Sequence, residues 1–346
     1  MYSRADRLLH RIALGFAPVL EASFDIERAR HRTAIRDLPV EAPVFVAGLA
    51  RAGTSILTRL LEAQGGFASL TYRDMPFPLA PNSWRRLSGR LKRNVETRER
   101  GHGDGLTHDL DSPEAIEEVF WRAQEGERYL TPGGLKPVPP APATISAFRD
   151  YVRLVLLGSP GKRYLSKNNN NVLRLPALVE AFPDAVLLHP FRDPVQQAES
   201  LRAQHLRAIA LAAGDGFRRS FMGWLGHHEF GADQRPFLFD GAPGPKDDPL
   251  ALTYWLKAWI SVHEALLDQP SVVAVRQVFV DHDRLCAEAG VRAERLGWLV
   301  GLDTPPDLSA LTRPSRRSVA VDDPELLAHA HDLHCRLGER YRAAFA

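Results

Sequence analysis

The sequence contains little cysteine and no long apolar run. Only two of its 346 residues are cysteines, Cys286 and Cys335, and they form no CxxC pair. Two distant cysteines exclude a disulfide scaffold and agree with a reducing compartment, so we expect a cytoplasmic protein. No apolar stretch approaches the roughly 20 residues that a membrane-spanning helix needs. The N-terminal segment carries Arg11, Glu21 and Asp25 among its apolar residues, which is typical of an amphipathic helix and not of a secretion signal.

A strong excess of charge of either sign is also missing. The 44 basic and 42 acidic residues give a formal net charge of +2, so nothing in the overall charge indicates a nucleic-acid partner. Hydrophobic residues make up 45% of the chain and charged residues 25%, which is enough apolar material for a sizeable core. The length is more than one average domain needs and less than two large ones need. We therefore expect one domain over residues 1–346.

Short apolar segments alternate with stretches of helical spacing along the chain. β-favouring runs occur at 44–47, 164–166, 185–191 and 272–275, with helical periodicity between them. This alternation predicts an α/β fold in which helices cover both faces of a central parallel sheet. Around this core we expect N-terminal helices at 1–40, an insertion over the sheet at 71–150 and a helical C-terminal tail at 301–346.

A small-residue loop, residues 48–55, follows the first predicted strand and opens a helix. The backbone N–H groups of such a turn, together with the helix N-terminus, form an anion site. The spacing matches the phosphate-loop pattern G-x4-G-K-[ST], except that Thr54 stands in the lysine position and the nearest cation is Arg51. The missing lysine disfavours an ordinary Mg-ATP hydrolase or kinase, as does the predicted strand 185–191, which ends in Arg192 and not in an aspartate. An ordinary strand–helix turn that uses glycine is the alternative at this point.

A second pair of anion-binding groups follows a later strand. Arg192 stands at the end of the apolar run 185–191, and Ser200 lies eight residues further on, about two turns into the next predicted helix. The arginine fork suits a phosphate, and the serine adds a hydroxyl donor.

These two motifs together resemble the sulfotransferases that use 3′-phosphoadenosine 5′-phosphosulfate (PAPS). The run Arg51-Ala52-Gly53-Thr54-Ser55 is similar to the 5′-phosphosulfate loop, R-S-G-T-[ST], of the tyrosylprotein and many bacterial branches. Arg192 and Ser200 resemble the 3′-phosphate pair, R-x7-S. Ser166-Lys167-Asn168 stands where the family carries a lysine near the sulfonate. The resemblance extends over roughly residues 43–70 and 160–300.

The resemblance implies a bacterial PAPS-dependent sulfotransferase with a three-layer, P-loop NTPase-like fold. The acceptor would be a hydroxyl or amine of a carbohydrate, lipid or small molecule, bound partly by the insertion. The products would be the sulfated acceptor and 3′,5′-adenosine bisphosphate (PAP), with no metal required and a homodimer left open. By resemblance, the 5′ end would be held by Arg51, Ala52, Gly53, Thr54 and Ser55. Arg51 and Lys167 would act in catalysis, and the 3′-phosphate would be held by Arg192, Ser200 and a late basic residue, Arg316 or Arg317.

The resemblance leaves the catalytic base open. An acceptor hydroxyl must lose its proton during transfer. Cytosolic members use a histidine two residues after the motif lysine, but Asn169 stands there. The tyrosylprotein branch uses a glutamate that follows its phosphate loop, and Asp74 stands near that place, offset by about two positions. We expect Asp74 to be the base, or else a structural partner of Arg73. Glu118 and His108 are the reserve candidates.

Two other functions stay open from the sequence. One is an atypical P-loop kinase or nucleotidase, which would require Mg-ATP. The other is a non-catalytic module that binds PAP and transfers nothing.

Overall fold

The computed structural model describes residues 3–89, 98–99, 107–108, 115–212, 216–312 and 316–346. Its helices are α1 Arg4–Gly15, α2 Ala17–Arg36, α3 Thr54–Glu62, α4 Pro81–Ser88, α5 Glu118–Tyr129, α6 Pro142–Leu157, α7 Leu175–Ala181, α8 Pro194–Ala212, α9 Gly216–Trp224, α10 Leu252–Leu267, α11 Ser271–Ala274, α12 His282–Ala287, α13 Ala289–Val300 and α14 Pro324–Phe345. Its strands are β1 Val44–Val46, β2 Phe67–Ala68, β3 Arg98–Glu99, β4 Thr107–His108, β5 Leu130–Thr131, β6 Gly134–Leu135, β7 Arg163–Lys167, β8 Val186–Phe191 and β9 Gln277–Asp281. Two 3-10 turns, Tyr72–Asp74 and Asn169–Leu173, complete the regular structure.

Five strands form one parallel sheet in the order β2-β7-β1-β8-β9. The central strand β1 is entirely buried, as an apolar strand with neighbours on both edges should be. Parallel neighbours need long crossover connections, which the intervening helices supply. The predicted α/β fold, with a central parallel sheet flanked by helices, is therefore confirmed.

The last predicted strand was wrong. Residues 271–274 form the short helix α11, which begins after Pro270, and the strand lies further on at Gln277–Asp281. Val272 and Val275 are 61% and 75% exposed, so this β-branched run does not enter the sheet. The residues of β9, from Val278 onward, are buried instead and pair with β8. Burial against neighbouring strands overrode local β-propensity here.

An aromatic core joins the residues 115–130 to the sheet. Phe45 of β1 lies 6.2 Å, centroid to centroid, from Phe148 of α6, and Phe148 lies 4.5 Å from Trp121 of α5. All three rings are almost completely buried. Aromatic rings of this size contribute much of a core's apolar burial, so α5 is anchored firmly over the sheet. None of the described helices is long and apolar enough to cross a membrane.

Candidate functional site

The predicted site residues lie at one edge of the sheet, where the strands end. Val46 of β1 pairs with Lys167 of β7 on one side and with Leu188 of β8 on the other. Strand β8 continues to Phe191, directly before Arg192. Because parallel strands present their carboxyl ends at the same edge, the loop after β1, Lys167 and Arg192 face a common region.

The loop between β1 and α3 is held in an unusual backbone conformation. Arg51 and Gly53 both have positive φ angles, +67° and +87°. A Cβ atom added to Gly53 would lie 2.4 Å from Nδ1 of His282, so only glycine fits between the loop and α12. Gly53 precedes α3 without any side-chain cap, and the first residue of the helix, Thr54, is buried while Ser55 is partly exposed. The unassisted N-terminus of α3 leaves backbone N–H groups for an anion.

The two predicted phosphate motifs meet in the structure. Nε of Arg51 donates a hydrogen bond to Oγ of Ser200 over 3.1 Å, across 149 residues of sequence. Nη1 of Arg192 donates to the carbonyl oxygen of Arg51 at 3.3 Å. The loop after β1 and the pair of Arg192 and Ser200 are therefore in direct contact.

Arg192 is held almost completely inside the protein. Its side chain is 7% exposed, and its Nε lies 3.5 Å from Oδ1 of Asp283. That Nε is buried and makes no hydrogen bond among the described residues. A buried N–H without a hydrogen bond favours an additional acceptor, and a phosphate oxygen suits it.

His282, which the sequence analysis did not select, closes the site beside the loop. Burial, together with the positive charge of Arg192, lowers the pKa of His282 to about 4. The ring is therefore neutral at neutral pH and packs against Gly53 instead of adding charge. The only sequence signal was its position directly after the last strand, which the misplaced strand 272–275 concealed.

The late basic segment reaches the start of α8. Nη2 of Arg316 lies 3.9 Å from Oδ2 of Asp193, and its side chain is 61% exposed. The backbone of Arg317 is tied to the side chain of Gln196 through two hydrogen bonds, 2.8 Å and 2.9 Å long. The segment thus lies beside the helix that carries Ser200, where the predicted 3′-phosphate site is.

Lys167 ends β7 and is followed by a buried turn of asparagines. Asn168, Asn169, Asn170 and Asn171 are each at most 3% exposed. Nδ2 of Asn168 donates to Oε2 of Glu118 at 2.8 Å, and Nδ2 of Asn171 donates to Oε1 of Glu117 at 2.8 Å. These bonds fix the backbone directly after Lys167.

Asp74 occupies a closed structural position. Its side chain is fully buried, and its two oxygens accept hydrogen bonds from Arg85 at 2.8 Å and 3.3 Å. It also accepts a bond from the backbone N–H of Thr71, closing the 3-10 turn. This geometry matches the structural alternative, but the partner is Arg85 and not the expected Arg73. The base role of Asp74 stays a prediction without geometric support.

The reserve candidate Glu118 is also fully engaged. Its two oxygens accept hydrogen bonds from Arg174 at 2.6 Å and 3.1 Å, and from Tyr129 and Asn168. Burial alone would raise the pKa of Glu118, but the charge and hydrogen bonds of Arg174 and the other donors lower it. The ion pair of Glu118 and Arg174 therefore packs against the asparagine turn, to which Glu118 is hydrogen-bonded through Asn168. The side chain of His108, the other reserve candidate, lies outside the described residues.

A carboxylate that the sequence analysis missed contacts the turn that follows Lys167. Nδ2 of Asn169 donates to Oε1 of Glu229 over 2.9 Å, and Lys167 and His227 both act electrostatically on that carboxylate. Glu229 is partly exposed. It stands in an irregular segment after α9 with no motif around it, so only long-range packing reveals its position.

No group of three or more His, Cys, Asp or Glu side chains is arranged to hold a metal ion in the part of the chain that the structure describes. The donors at the strand ends are instead guanidinium, ammonium, hydroxyl and backbone N–H groups. This set of donors suits a polyanionic ligand.

Comparison with known proteins identifies the chain's relatives. A family model described as "Sulfotransferase family" matches residues 43–224, which is more than half of the chain. A search of the curated proteins gave no significant match.

Solved structures with a similar fold include three bacterial sulfotransferases. STF1 from Mycobacterium tuberculosis H37Rv has a TM-score of 0.49 and 16% identity, covering 96% of this chain and 84% of its own. STF9 from Mycobacterium avium has a TM-score of 0.46 and 15% identity, covering 96% and 78%. A sulfotransferase from Alicyclobacillus acidocaldarius has a TM-score of 0.40 and 16% identity, covering 89% and 96%.

Proposed function

Because the chain belongs to the sulfotransferase family, we propose that it transfers a sulfuryl group from PAPS to a hydroxyl or amine of a carbohydrate, lipid or small molecule. The observation that carries this proposal is the junction of the two motifs. Arg51 of the loop after β1 donates to Ser200 of α8, and Arg192 donates to the backbone of Arg51. A donor with phosphate groups at both its 5′ and 3′ positions needs such a double anion site.

The donor's 5′-phosphosulfate would lie against the loop and the first turn of α3. Backbone N–H groups from Ala52 to Ser55 and the hydroxyls of Thr54 and Ser55 are the donors there. Arg51 and Lys167 would neutralise the charge that develops on the oxygen between phosphorus and sulfur. Lys167 ends β7, and Arg51 lies in the loop that follows the neighbouring strand β1.

The 3′-phosphate would be read by Arg192 and Ser200, with Arg316 closing the site. The buried Nε of Arg192 supports this assignment, because a phosphate oxygen would complete its hydrogen bonding. Arg316 is exposed and lies near Asp193, so it would add positive charge at the edge of the site.

The reaction is an in-line displacement at sulfur. A lone pair of the acceptor oxygen forms the new O–S bond, and the bond between sulfur and the bridging oxygen breaks. PAP leaves with that electron pair, and the acceptor proton passes to a base. The proposal involves no metal, since the transferred group carries less charge than a phosphoryl group.

Two alternatives make different predictions. An atypical kinase would need Mg-ATP, but Thr54 replaces the phosphate-loop lysine, and β8 leads into Arg192 and not into an aspartate. A non-catalytic module would bind PAP without turnover.

Calorimetric titration of the protein with PAP, and separately with ADP plus Mg²⁺, tests the donor. We expect PAP to bind much more tightly than Mg-ADP, and radiolabelled PAPS to lose its sulfuryl group to glycan, lipid or small-metabolite fractions. Preference for Mg-ADP would favour the kinase. PAP binding with no transfer to any fraction would favour the non-catalytic module.

A further inference from the structure

Glu229 is placed at the site by contacts that involve its whole loop. Nδ2 of Asn170 donates to the carbonyl oxygen of Gly226 at 3.0 Å, and Nδ2 of Asn169 donates to Oε1 of Glu229 at 2.9 Å. Gly226 has a φ of +74°, and a Cβ there would lie 2.5 Å from Cγ of Glu118. The loop 226–229 is therefore fitted tightly against the turn that follows Lys167.

One amide oxygen in the turn after Lys167 accepts no hydrogen bond among the described residues. Asn169 is 3% exposed, and its Oδ1 is buried without a hydrogen-bond partner among the described residues. The orientation of its amide is set by donation to Glu229, because a carboxylate can only accept. Oδ1 is then available to a donor that enters the site, such as a hydroxyl.

Glu229 differs from the other acidic candidates in its partners, because it makes no ion pair with an arginine among the described residues and accepts a hydrogen bond from Asn169 instead. Asp74 and Glu118 are at most 1% exposed, and each is committed to an arginine. Glu229 as a residue is partly exposed, and its carboxylate interacts electrostatically with the lysine that we place at the reacting group. A base must reach the proton that it removes, so a carboxylate near Lys167 that no arginine holds is better suited to this role than its rivals.

We propose that Glu229 is the general base of the transfer and that Asn169 is the residue that positions it. This inference rests on the proposed function. The acceptor O–H proton passes to a carboxylate oxygen of Glu229 as the acceptor oxygen bonds to sulfur and the bond to PAP breaks. Lys167 and Arg51 stabilise the leaving oxygen.

The surroundings of Glu229 keep it ionised. Burial by itself would raise its pKa, but electrostatic interactions with His227 and Lys167 and the hydrogen bond from Asn169 lower the pKa below the ordinary 4.5. His228 lies on the same loop and also interacts electrostatically with the carboxylate. At neutral pH Glu229 is therefore ionised, which is the form that can take a proton.

The substitution Glu229→Gln tests the base role. Glutamine keeps the size of the side chain and can still accept the bond from Asn169, but it cannot take a proton. We expect single-turnover transfer from radiolabelled PAPS to fall by about 10²- to 10⁴-fold. The affinity for PAP in calorimetry should stay within about threefold or tighten, because a negative charge beside the anion site is removed.

The matched control is Asp233→Asn, which removes a carboxylate four residues further along the same irregular segment. Asp233 pairs with Arg219 on the surface through two bonds of 2.7 Å. We expect this variant to keep transfer and PAP affinity within about twofold of the wild type. Loss of transfer in both variants would mean that the loop's fold, and not a base, had been disturbed.

The role of Asn169 is tested by the pH profile. Asn169→Ala removes one of the interactions that lower the pKa of Glu229, so the acid limb of kcat/KM should move to higher pH than in the wild type. A purely structural effect would lower the rate at every pH without moving the limb.

The outcomes separate the two proposals. Transfer by Glu229→Gln within about tenfold of the wild type would overturn the base role while leaving the sulfotransferase function intact. Loss of both transfer and PAP binding in that variant would also overturn the base role. A wild type that neither binds PAP nor transfers sulfate would refute the proposed function, and this inference with it.

Discussion

Removing the Arg192 guanidinium should selectively weaken recognition of the 3′-phosphate. We consider Arg192→Ala with two ligands that differ only in that group, PAP and adenosine 5′-phosphate. The variant removes the buried fork at the end of β8 and leaves the carboxylate of Asp283 without its arginine. Both effects act against an anion, since the remaining carboxylate repels it.

The expected magnitude follows from the number of contacts. Nη1 of Arg192 is already used by the carbonyl of Arg51, whereas Nε makes no hydrogen bond among the described residues. One charge-assisted bond from Nε to phosphate is worth about 1.5–3 kcal/mol, which is about a 10- to 150-fold loss of PAP affinity. Adenosine 5′-phosphate should lose no more than about threefold, because it has no 3′-phosphate.

Isothermal calorimetry of both ligands on both proteins gives the difference directly, and thermal unfolding verifies that the variant is folded. Equal losses for PAP and adenosine 5′-phosphate would refute the reasoning. Arg192 would then act only as a support for the loop through the carbonyl of Arg51. Ser200→Ala, which removes a partly exposed hydroxyl from the same site, should give a smaller loss with the same selectivity for PAP.

Three further predictions concern the loop after β1, the 3-10 turn that contains Asp74 and one buried histidine. Gly53→Ala should weaken PAP binding at least tenfold, because the added Cβ would lie 2.4 Å from His282. The control Gly65→Ala is also at positive φ, but its Cβ would have nothing within 4 Å, so PAP binding should be unchanged in the same titration. Asp74→Asn should lower the free energy of unfolding by about 2 kcal/mol in urea titrations and leave turnover of the folded protein near the wild-type value. If the variant binds PAP normally but does not turn over, Asp74 is the base after all. Burial lowers the pKa of His263 from 6.5 to about 3. As the pH falls below 6.5, the unfolded state therefore binds a proton at His263 before the folded state does, and the free energy of unfolding falls by up to about 1.4 kcal/mol per pH unit. His263→Gln should show a shallower loss in urea titrations from pH 7.5 to 5, and equal slopes would contradict the assignment.

Local pattern was sufficient for the elements that carry the anion site. The loop from Gly48 to Gly53 lies between a strand and a helix, as its composition predicts, and β7 and β8 lie within about one residue of their expected places. These elements are short, apolar and bounded by turn residues, so neighbouring sequence and tertiary packing favour the same conformation.

Local pattern was insufficient where packing opposed propensity. The β-branched run Val272–Val275 overlaps a short helix, because the adjacent segment Gln277–Asp281 fills the sheet's edge beside β8. Propensity does not reveal which of two neighbouring apolar segments will be buried.

The sequence by itself determined the fold class, the family and the residues that we expect to bind anions, because these depend on periodicity and on motifs within single strand–turn–helix units. Only the tertiary structure decided which acidic group stands at the reacting end. Asp74 and Glu118 bind arginines in the interior, while Glu229 is brought to Asn169 from 60 residues away. A carboxylate's role depends on its partners and its access to solvent, and both arise from contacts between segments that are far apart along the chain.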